Sequence, residues 1–327
     1  MRASFWEVLA GIAILAICLA AGIVIAGRIA PQPVIGVLRL EGAIDFVSAD
    51  HVQDVIDAAR RDGRVAGVVL EIASPGGFAT SSESIFYSLL QLRDEKPLVT
   101  AVDGIAVSGG YYIAAAGNQI FAPASSYVGN IGTRGPRPQD PTISPDELSS
   151  GPYKLSGGNR FDRIHQLDLV KDAFVSNVVH QRANASVNPL GIDANAIAEA
   201  RIYLGSEAVA VGLVDAEGGR SDAIQAVADL AGVESYAVRN LDEYLGIMQE
   251  TPPLGLESAV KSMVEQAPPD AVYLLDSRIA LPDLAAANEV ERHLLRLRAA
   301  APGSLSTLTD APAPIQAPGF RPQPAGE

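Results

Sequence analysis

Short apolar runs alternate with stretches of helical spacing through the first half of the chain. Runs of buried-type residues predict strands at 34–44, 65–73, 96–102 and 119–124. Between them, apolar residues recur every three or four positions, which predicts helices at 50–61 (capped by Asp50), 81–95 and 108–117. Regular alternation of strands and helices is typical of an α/β domain with a largely parallel sheet.

An apolar segment without a single charge, VLAGIAILAICLAAGIVIAG, occupies residues 8–27. As a helix, it would rise about 30 Å, which matches the hydrocarbon core of a bilayer. We therefore predict one N-terminal transmembrane helix that anchors the protein, with a cleaved signal peptide as the alternative. Arg2 and the amino terminus oppose Arg28, and we expect the N-terminus inside and the bulk of the chain on the extracytoplasmic side.

The pattern changes after residue 154, where a long helix is predicted at about 163–187. Its apolar residues fall on one stripe: Ile164, Leu167, Val170, Phe174, Val178 and Val179. A second α/β stretch follows at 193–239, and residues 251–300 are predicted to be helical with proline breaks. We therefore divide the chain into an anchor (1–29), a main domain (30–240), a C-terminal helical extension (241–300) and a disordered tail rich in proline and alanine (301–327).

Composition narrows the range of partners. The 327 residues are 48% hydrophobic and carry a formal net charge of −14, without a basic stripe, so we expect no nucleic-acid partner. Cys18 is the only cysteine, which excludes an intramolecular disulfide and a thiolate metal site. We predict neither a metal nor a cofactor.

Two glycine-rich loops each follow a strand and precede a helix. In SPGG, Gly76 and Gly77 lack the Cβ atoms that would keep a ligand from the backbone N–H groups, although an ordinary turn has the same composition. In VSGGYY, Ser108 precedes Gly109 at the end of another strand. Ser108 is therefore either a nucleophile exposed at the sheet edge or the N-cap of a helix.

A nucleophilic serine needs a base. None of the four histidines, His51, His165, His180 and His293, follows a predicted strand end, so the pattern does not favour a Ser-His-Asp triad. Lys154, in SSGPYKLSGG, is the only lysine between Lys96 and Lys171. A lysine can act as a base when burial lowers its pKa, whereas a loop lysine is more often a solvated charge.

Taken in order, these motifs resemble a known family. VVLEIASPGG, KPLVTAVDGIAVSGGYYIAAAG, SGPYK and ARIYLGSEAVAVGLVDAEGG look like successive blocks of the signal peptide peptidase A family of membrane-anchored serine peptidases, across residues 34–235. The resemblance implies the Clp protease/crotonase fold, a spiral of ββα units. Two positions depart from the family pattern: Ala73 replaces an asparagine, and Asn130 replaces a serine that helps to position the catalytic lysine.

The resemblance also implies roles for individual residues. Ser108 corresponds to the nucleophile, Lys154 to the general base of a Ser-Lys dyad, and the N–H groups of Gly76 and Gly109 to the oxyanion hole. Asn130 is then the candidate for positioning the lysine. A shifted alignment would place Arg160 at the position of the base, and since arginine stays protonated, it would predict an inactive enzyme.

The expected function is therefore hydrolysis of signal peptides and other hydrophobic peptides at a membrane, through an acyl-enzyme. The resemblance also implies a homo-oligomer and peptide substrates in contact with the lipid bilayer. Two alternatives remain: a catalytically inactive scaffold of the same fold, and a crotonase-like acyl-CoA enzyme that uses the same oxyanion hole.

Overall fold

The computed structural model describes residues 5–29, 32–135, 150, 159–248, 256–266 and 271–276. The first helix, α1 (Phe5–Ile29), covers the apolar N-terminal segment, and within it the side chains of Trp6 and residues 9–22 are described. In the described part of the chain, no helix is long and apolar enough to cross a membrane. The anchor and its orientation stay predictions.

Most strands lie in one eight-stranded, mainly parallel sheet, which confirms the predicted α/β class. Its main path runs β7-β6-β4-β2-β1-β9, with β5 paired to β4 and β8 paired to β5; only β7 runs antiparallel to its neighbour. A separate antiparallel pair joins β10 to β3. The strands are β1 (Val34–Glu41), β2 (Val65–Ser74), β3 (Gly76–Phe78), β4 (Leu98–Val107), β5 (Gln119–Ala122), β6 (Tyr127–Gly129), β7 (Ile202–Leu204), β8 (Ala216–Glu217), β9 (Ala237–Asn240) and β10 (Tyr273–Leu275).

Helices cover both faces of the sheet. After α1, they are α2 (Phe46–Arg61), α3 (Ala79–Glu95), α4 (Gly109–Ala114), α5 (Arg160–Ala183), α6 (Ala194–Ala198), α7 (Gly205–Ala210), α8 (Arg220–Ala231), α9 (Leu241–Leu245) and α10 (Leu256–Gln266). On β1, Leu38 and Leu40 belong to the larger core with α2, α3 and α4, while Val37 packs in a second core with Val227 of α8. Burial on both faces explains why the strands read as continuous apolar runs.

One predicted helix cap was wrong. α2 begins four residues before Asp50, because the Asp45 carboxylate accepts a hydrogen bond from the Ser48 N–H at 2.8 Å, and the Ser48 hydroxyl oxygen accepts one from the Asp45 N–H at 2.9 Å. This reciprocal pair satisfies donors that the helix would leave free. Asp50 therefore lies inside the helix.

The long helix α5 buries only its C-terminal half. Phe174, Val175 and Val178 are buried there, whereas Ile164, predicted on the same apolar stripe, is largely exposed. Near its end, Arg182 forms a buried bidentate ion pair with Asp215, with N–O distances of 2.9 and 3.0 Å. The predicted apolar stripe is therefore buried in the C-terminal half of α5, where the core covers the helix.

The C-terminal segment contains more than helices. α9 contacts α2 through His51, whose Nε2 lies 2.8 Å from the Asp242 carboxylate. Within the region predicted to be helical, residues 273–275 instead form β10, because Leu274 and its neighbours pair with β3.

Candidate active site

The ends of three neighbouring parallel strands form the candidate site. β2, β4 and β6 lie side by side, and the registers place Ser74 opposite Ala106 and Val107 opposite Gly129. The next residue, Ser108, donates its N–H to the Gly129 carbonyl at 2.7 Å. Carboxyl ends of parallel strands are where α/β proteins bind their ligands. The two loops singled out from the sequence therefore meet at one edge of the sheet.

Ser108 has a strained backbone at the turn into α4. Its φ of 55° and ψ of −124° lie in a region that non-glycine residues rarely adopt. The residue holds the N-cap position, and its carbonyl accepts the Tyr112 N–H at 2.9 Å, but its side chain makes no capping hydrogen bond. A strained serine on a sharp strand-to-helix turn is typical of a nucleophile. Of the two alternatives for the hydroxyl, the geometry therefore favours the nucleophile.

The glycines after Ser108 allow α4 to lie close to the neighbouring loop. A Cβ on Gly110 would lie 2.5 Å from the Ser74 carbonyl oxygen, and one on Gly109 would lie 2.3 Å from the Ser82 hydroxyl oxygen. Both distances are well below van der Waals contact. The glycine pair is therefore required by packing at the site.

The SPGG loop is held by its own serine. The Ser74 hydroxyl donates to the Gly42 carbonyl at 2.6 Å and accepts the Gly76 N–H at 3.1 Å. Gly76 has a φ of +92°, and a Cβ built on it would lie 2.8 Å from the Gly109 nitrogen. The structure thus brings Gly76 and Gly109 together, with the Gly76 N–H engaged by Ser74.

Asn130 lies beside the serine loop, directly after β6. It is buried with a φ of 54°, its side-chain amide donates to the Ala200 carbonyl at 2.7 Å, and its N–H donates to the Arg201 carbonyl at 2.8 Å. Lys154, the predicted base, lies outside the described residues. Arg160, its alternative, is the exposed first residue of α5.

The described histidines occupy other roles. His51 pairs with Asp242, and both His165 and His180 are exposed on α5. His293 lies outside the described residues. Among the residues that the structure describes, no group of three His, Cys, Asp or Glu side chains is placed to hold a metal.

Two tyrosines after the glycine pair anchor α4 in the core. The Tyr111 hydroxyl donates to the Leu213 carbonyl at 2.7 Å, and the Tyr112 hydroxyl accepts from the Asn177 amide at 2.6 Å. Burial raises the pKa of both phenols above the ordinary value, so both are neutral hydrogen-bonding groups. They fix the helix that carries the strained serine.

One neighbour of the site was missed from the sequence. The Leu274 carbonyl oxygen of β10 would lie 1.8 Å from a Cβ on Gly76 and 3.0 Å from one on Gly109. The only local signal is the short apolar run VYLL, which does not distinguish a strand from a helix.

Comparisons with known proteins agree with the motifs. The profile of peptidase family S49 matches residues 91–138, a segment that includes Ser108 and Asn130. A Methanocaldococcus jannaschii protein that carries the name of a protease is 29% identical over 222 residues, covering 63% of this chain and 70% of the relative. Protease 4 of Salmonella typhi is 29% identical over 261 residues, covering 75% of this chain and 40% of the relative.

A plant relative extends the comparison. The chloroplast serine protease SPPA of Arabidopsis thaliana is 26% identical over 211 residues, covering 58% of this chain and 31% of the relative. The chain thus spans less than half the length of the Salmonella and Arabidopsis proteins. The names of these relatives support a serine-type peptidase. Together, the matches agree with the resemblance that the motifs indicated: the chain is similar to members of the signal peptide peptidase A family, peptidase family S49.

Proposed function

We propose that this protein is a serine endopeptidase with Ser108 as its nucleophile. The observation that carries the proposal is the strained Ser108, whose side chain does not cap α4 and which lies beside the paired loops of Gly76 and Gly109. Strain of this kind costs about 1–3 kcal/mol and persists where the surrounding structure imposes it, which is common at active sites. The peptidase names of the relatives point to the same chemistry.

The proposed reaction proceeds in two acyl-transfer steps. Neutral Lys154 accepts the Ser108 proton, the serine oxygen forms a bond to the scissile carbonyl carbon, and the Gly109 N–H stabilises the oxyanion. The proposed second donor is the Gly76 N–H, which donates to the Ser74 hydroxyl in this structure. The lysine then gives the proton to the leaving amine as the C–N bond breaks. Water, activated by the same lysine, attacks the acyl-enzyme and releases the second product, which regenerates the Ser108 hydroxyl.

Asn130 is proposed to help position Lys154, in place of the family's serine. It is suited to this role because its backbone is fixed next to Gly129, the partner of the Ser108 N–H. Asn130→Ser should then retain hydrolysis. If Asn130 positions the lysine, Asn130→Ala should move the acidic limb of the kcat/KM pH profile, which a purely structural role would leave in place.

The setting proposed for this activity is a membrane surface. Described α1 side chains such as Trp6, Ile12 and Leu15 are strongly exposed and apolar, which supports a helix that inserts into lipid. We propose that the catalytic domain lies on the extracytoplasmic side, has the Clp protease/crotonase spiral, forms a homo-oligomer and cleaves remnant signal peptides and other hydrophobic peptides.

The proposal is tested on the full chain in detergent with a fluorogenic hydrophobic peptide. Ser108→Ala and Lys154→Ala should each abolish hydrolysis, while Arg160→Ala and the control Ser88→Ala, a half-buried serine on α3 whose hydroxyl bonds to the Ser84 carbonyl, should keep it. A fluorophosphonate should label the wild type and not Ser108→Ala. Full activity of Lys154→Ala together with loss in His165→Ala would refute the dyad.

Two other outcomes would identify the alternatives. Absence of hydrolysis and of labelling in the wild type would indicate a scaffold without activity. Turnover of a CoA thioester that survives Ser108→Ala would indicate an acyl-CoA enzyme, since that chemistry needs the oxyanion hole but no serine nucleophile.

A further inference from the structure

The segment of residues 271–276 lies along the SPGG loop as an extended strand. Its β10 pairs antiparallel with β3, so that Leu274 lies opposite Gly77. Two flanking bonds extend the ladder: the Ala79 N–H donates to the Val272 carbonyl at 3.0 Å, and the Asp276 N–H donates to the Pro75 carbonyl at 2.7 Å. One edge of the segment is therefore fully paired to the loop.

The other edge of the segment is bound by Arg134. Its N–H donates to the Tyr273 carbonyl and its carbonyl accepts the Tyr273 N–H, both at 2.9 Å. Its guanidinium donates to the Asp276 carbonyl at 3.1 Å. The strand thus lies in a groove whose walls are β3 and Arg134, with hydrogen bonds to both. Adding an extended strand to exposed backbone edges is a general way in which proteins bind peptides.

The segment also packs against both candidate oxyanion-hole glycines. The Leu274 carbonyl oxygen lies where Cβ atoms on Gly76 and Gly109 would approach it to 1.8 and 3.0 Å. The side chains of Tyr273, Leu274 and Leu275 are at most 1% exposed, and the Tyr273 ring stacks on Phe78 with centroids 5.5 Å apart. The Leu274 carbonyl therefore lies against both glycines that the resemblance assigns to the oxyanion hole.

We propose that residues 271–276 are an intramolecular occupant of the peptide-binding groove, which must leave before an extended peptide can bind. The proposal rests on the proposed function in taking this groove as the substrate site. When only a fraction of the molecules has an open groove, the apparent affinity for a peptide falls by that fraction. The segment therefore holds the protein in a low-affinity state.

Binding is measured first, without any need for catalysis. In the Ser108→Ala background, a fluorescein-labelled peptide with the sequence AVYLLD is titrated and followed by anisotropy. Leu274→Asp is then added, which places a charge in the buried contact and releases the segment. If about a tenth of the molecules have an open groove before the substitution, the labelled peptide should bind about tenfold more tightly after it. Leu230→Asp, at an exposed position of α8, is the control and should leave the affinity unchanged.

A second variant protects the test from a folding artefact. Asp276→Pro removes the N–H that donates to Pro75 and should tighten peptide binding in the same direction. Thermal melting selects the variants that keep the wild-type fold. If Leu274→Asp and Asp276→Pro both keep the fold and both bind the peptide with unchanged affinity, the proposal is overturned.

Hydrolysis separates this proposal from the proposed function. With Ser108 intact, Leu274→Asp should raise kcat/KM for the fluorogenic peptide about tenfold, mainly through a lower KM, because the same peptide no longer competes with the segment. If the variants bind the labelled peptide more tightly but no variant shows Ser108-dependent hydrolysis, the peptidase proposal is refuted and the proposal of an occupied groove is retained. Ser108-dependent hydrolysis with equal KM in wild type and Leu274→Asp would retain the peptidase and reject the occupant.

Discussion

Replacing Gly110 with alanine should separate α4 from the SPGG loop. The new Cβ would lie 2.5 Å from the Ser74 carbonyl oxygen and 3.2 Å from the carbonyl carbon and Cβ of the same residue. All of these atoms belong to the backbone or to its rigid first side-chain atom, so no flexible side chain can move aside. The helix, the loop or both must therefore shift by nearly 1 Å to restore ordinary contact.

The magnitude follows from two opposing effects. Overpacking of a buried contact costs about 1–3 kcal/mol, and alanine regains about 1 kcal/mol from its helix propensity, so the net loss of stability should be about 0–2 kcal/mol. The effect on activity should be larger than this. The strained contact joins Ser74, which orients Gly76, to Gly110, which follows Ser108 by two residues. A misplacement of about 1 Å at a reacting group can lower the rate about 100-fold.

The assay compares Gly110→Ala with Gly63→Ala, where a Cβ would meet nothing within 4 Å. Urea unfolding gives the free energy of unfolding, and hydrolysis of the fluorogenic peptide gives kcat/KM. We expect Gly63→Ala to match the wild type in kcat/KM and Gly110→Ala to lose activity well beyond its loss of stability. Unchanged kcat/KM in Gly110→Ala would refute the close packing of α4 on the loop.

Three further substitutions test the surroundings of the site. Arg182→Met should lower the free energy of unfolding by about 3–5 kcal/mol, because it leaves the Asp215 carboxylate buried without its cation; urea unfolding would measure it. Tyr111→Phe should flatten the loss of stability above pH 10: burial raises the pKa of the folded phenol above its unfolded value of 10.0, so the wild type loses stability as the pH rises past that value. Denaturant titrations at about pH 8 and about pH 10.5 would show it. Ser108→Gly should be more stable than Ser108→Ala by about 1–2 kcal/mol, since both lack the hydroxyl and only glycine tolerates this backbone; equal melting temperatures would disprove strain at this position.

The period of the apolar residues was sufficient to predict the first strands and helices. Residues 65–73 and 81–95 formed β2 and α3 almost as predicted, because strands buried on both faces and amphipathic helices have distinct patterns. The candidate residues Ser108, Gly76 and Gly109 came together for a topological reason. β2 and β4 are parallel neighbours, so the loops at their carboxyl ends must lie side by side.

Long-range pairing could not be predicted in the same way. Leu274 pairs with Gly77 almost two hundred residues earlier, and no local property of VYLL selects that partner. The positions of charged residues gave no signal for burial either. Arginine is mostly found at protein surfaces, whereas Arg182 is buried against Asp215. Such contacts depend on the assembled fold, and they decide what lies against the site.

The backbone strain at Ser108 is sustained by the elements around it. Its N–H donates to the Gly129 carbonyl of β6, and its carbonyl accepts the Tyr112 N–H of α4. The backbone on both sides of the residue is therefore fixed without any contact of the side chain. Tyr111 ties the same helix to the Leu213 carbonyl on the far side of the core. Because the main chain is held on both sides, the Ser108 hydroxyl has no capping hydrogen bond to lose in the proposed reaction. Its position is set by buried contacts that a bound peptide does not have to supply. In the proposed peptidase, the serine is therefore preorganised in the absence of substrate. The step that we propose the segment around Leu274 controls is then access to the groove, and not assembly of the nucleophile.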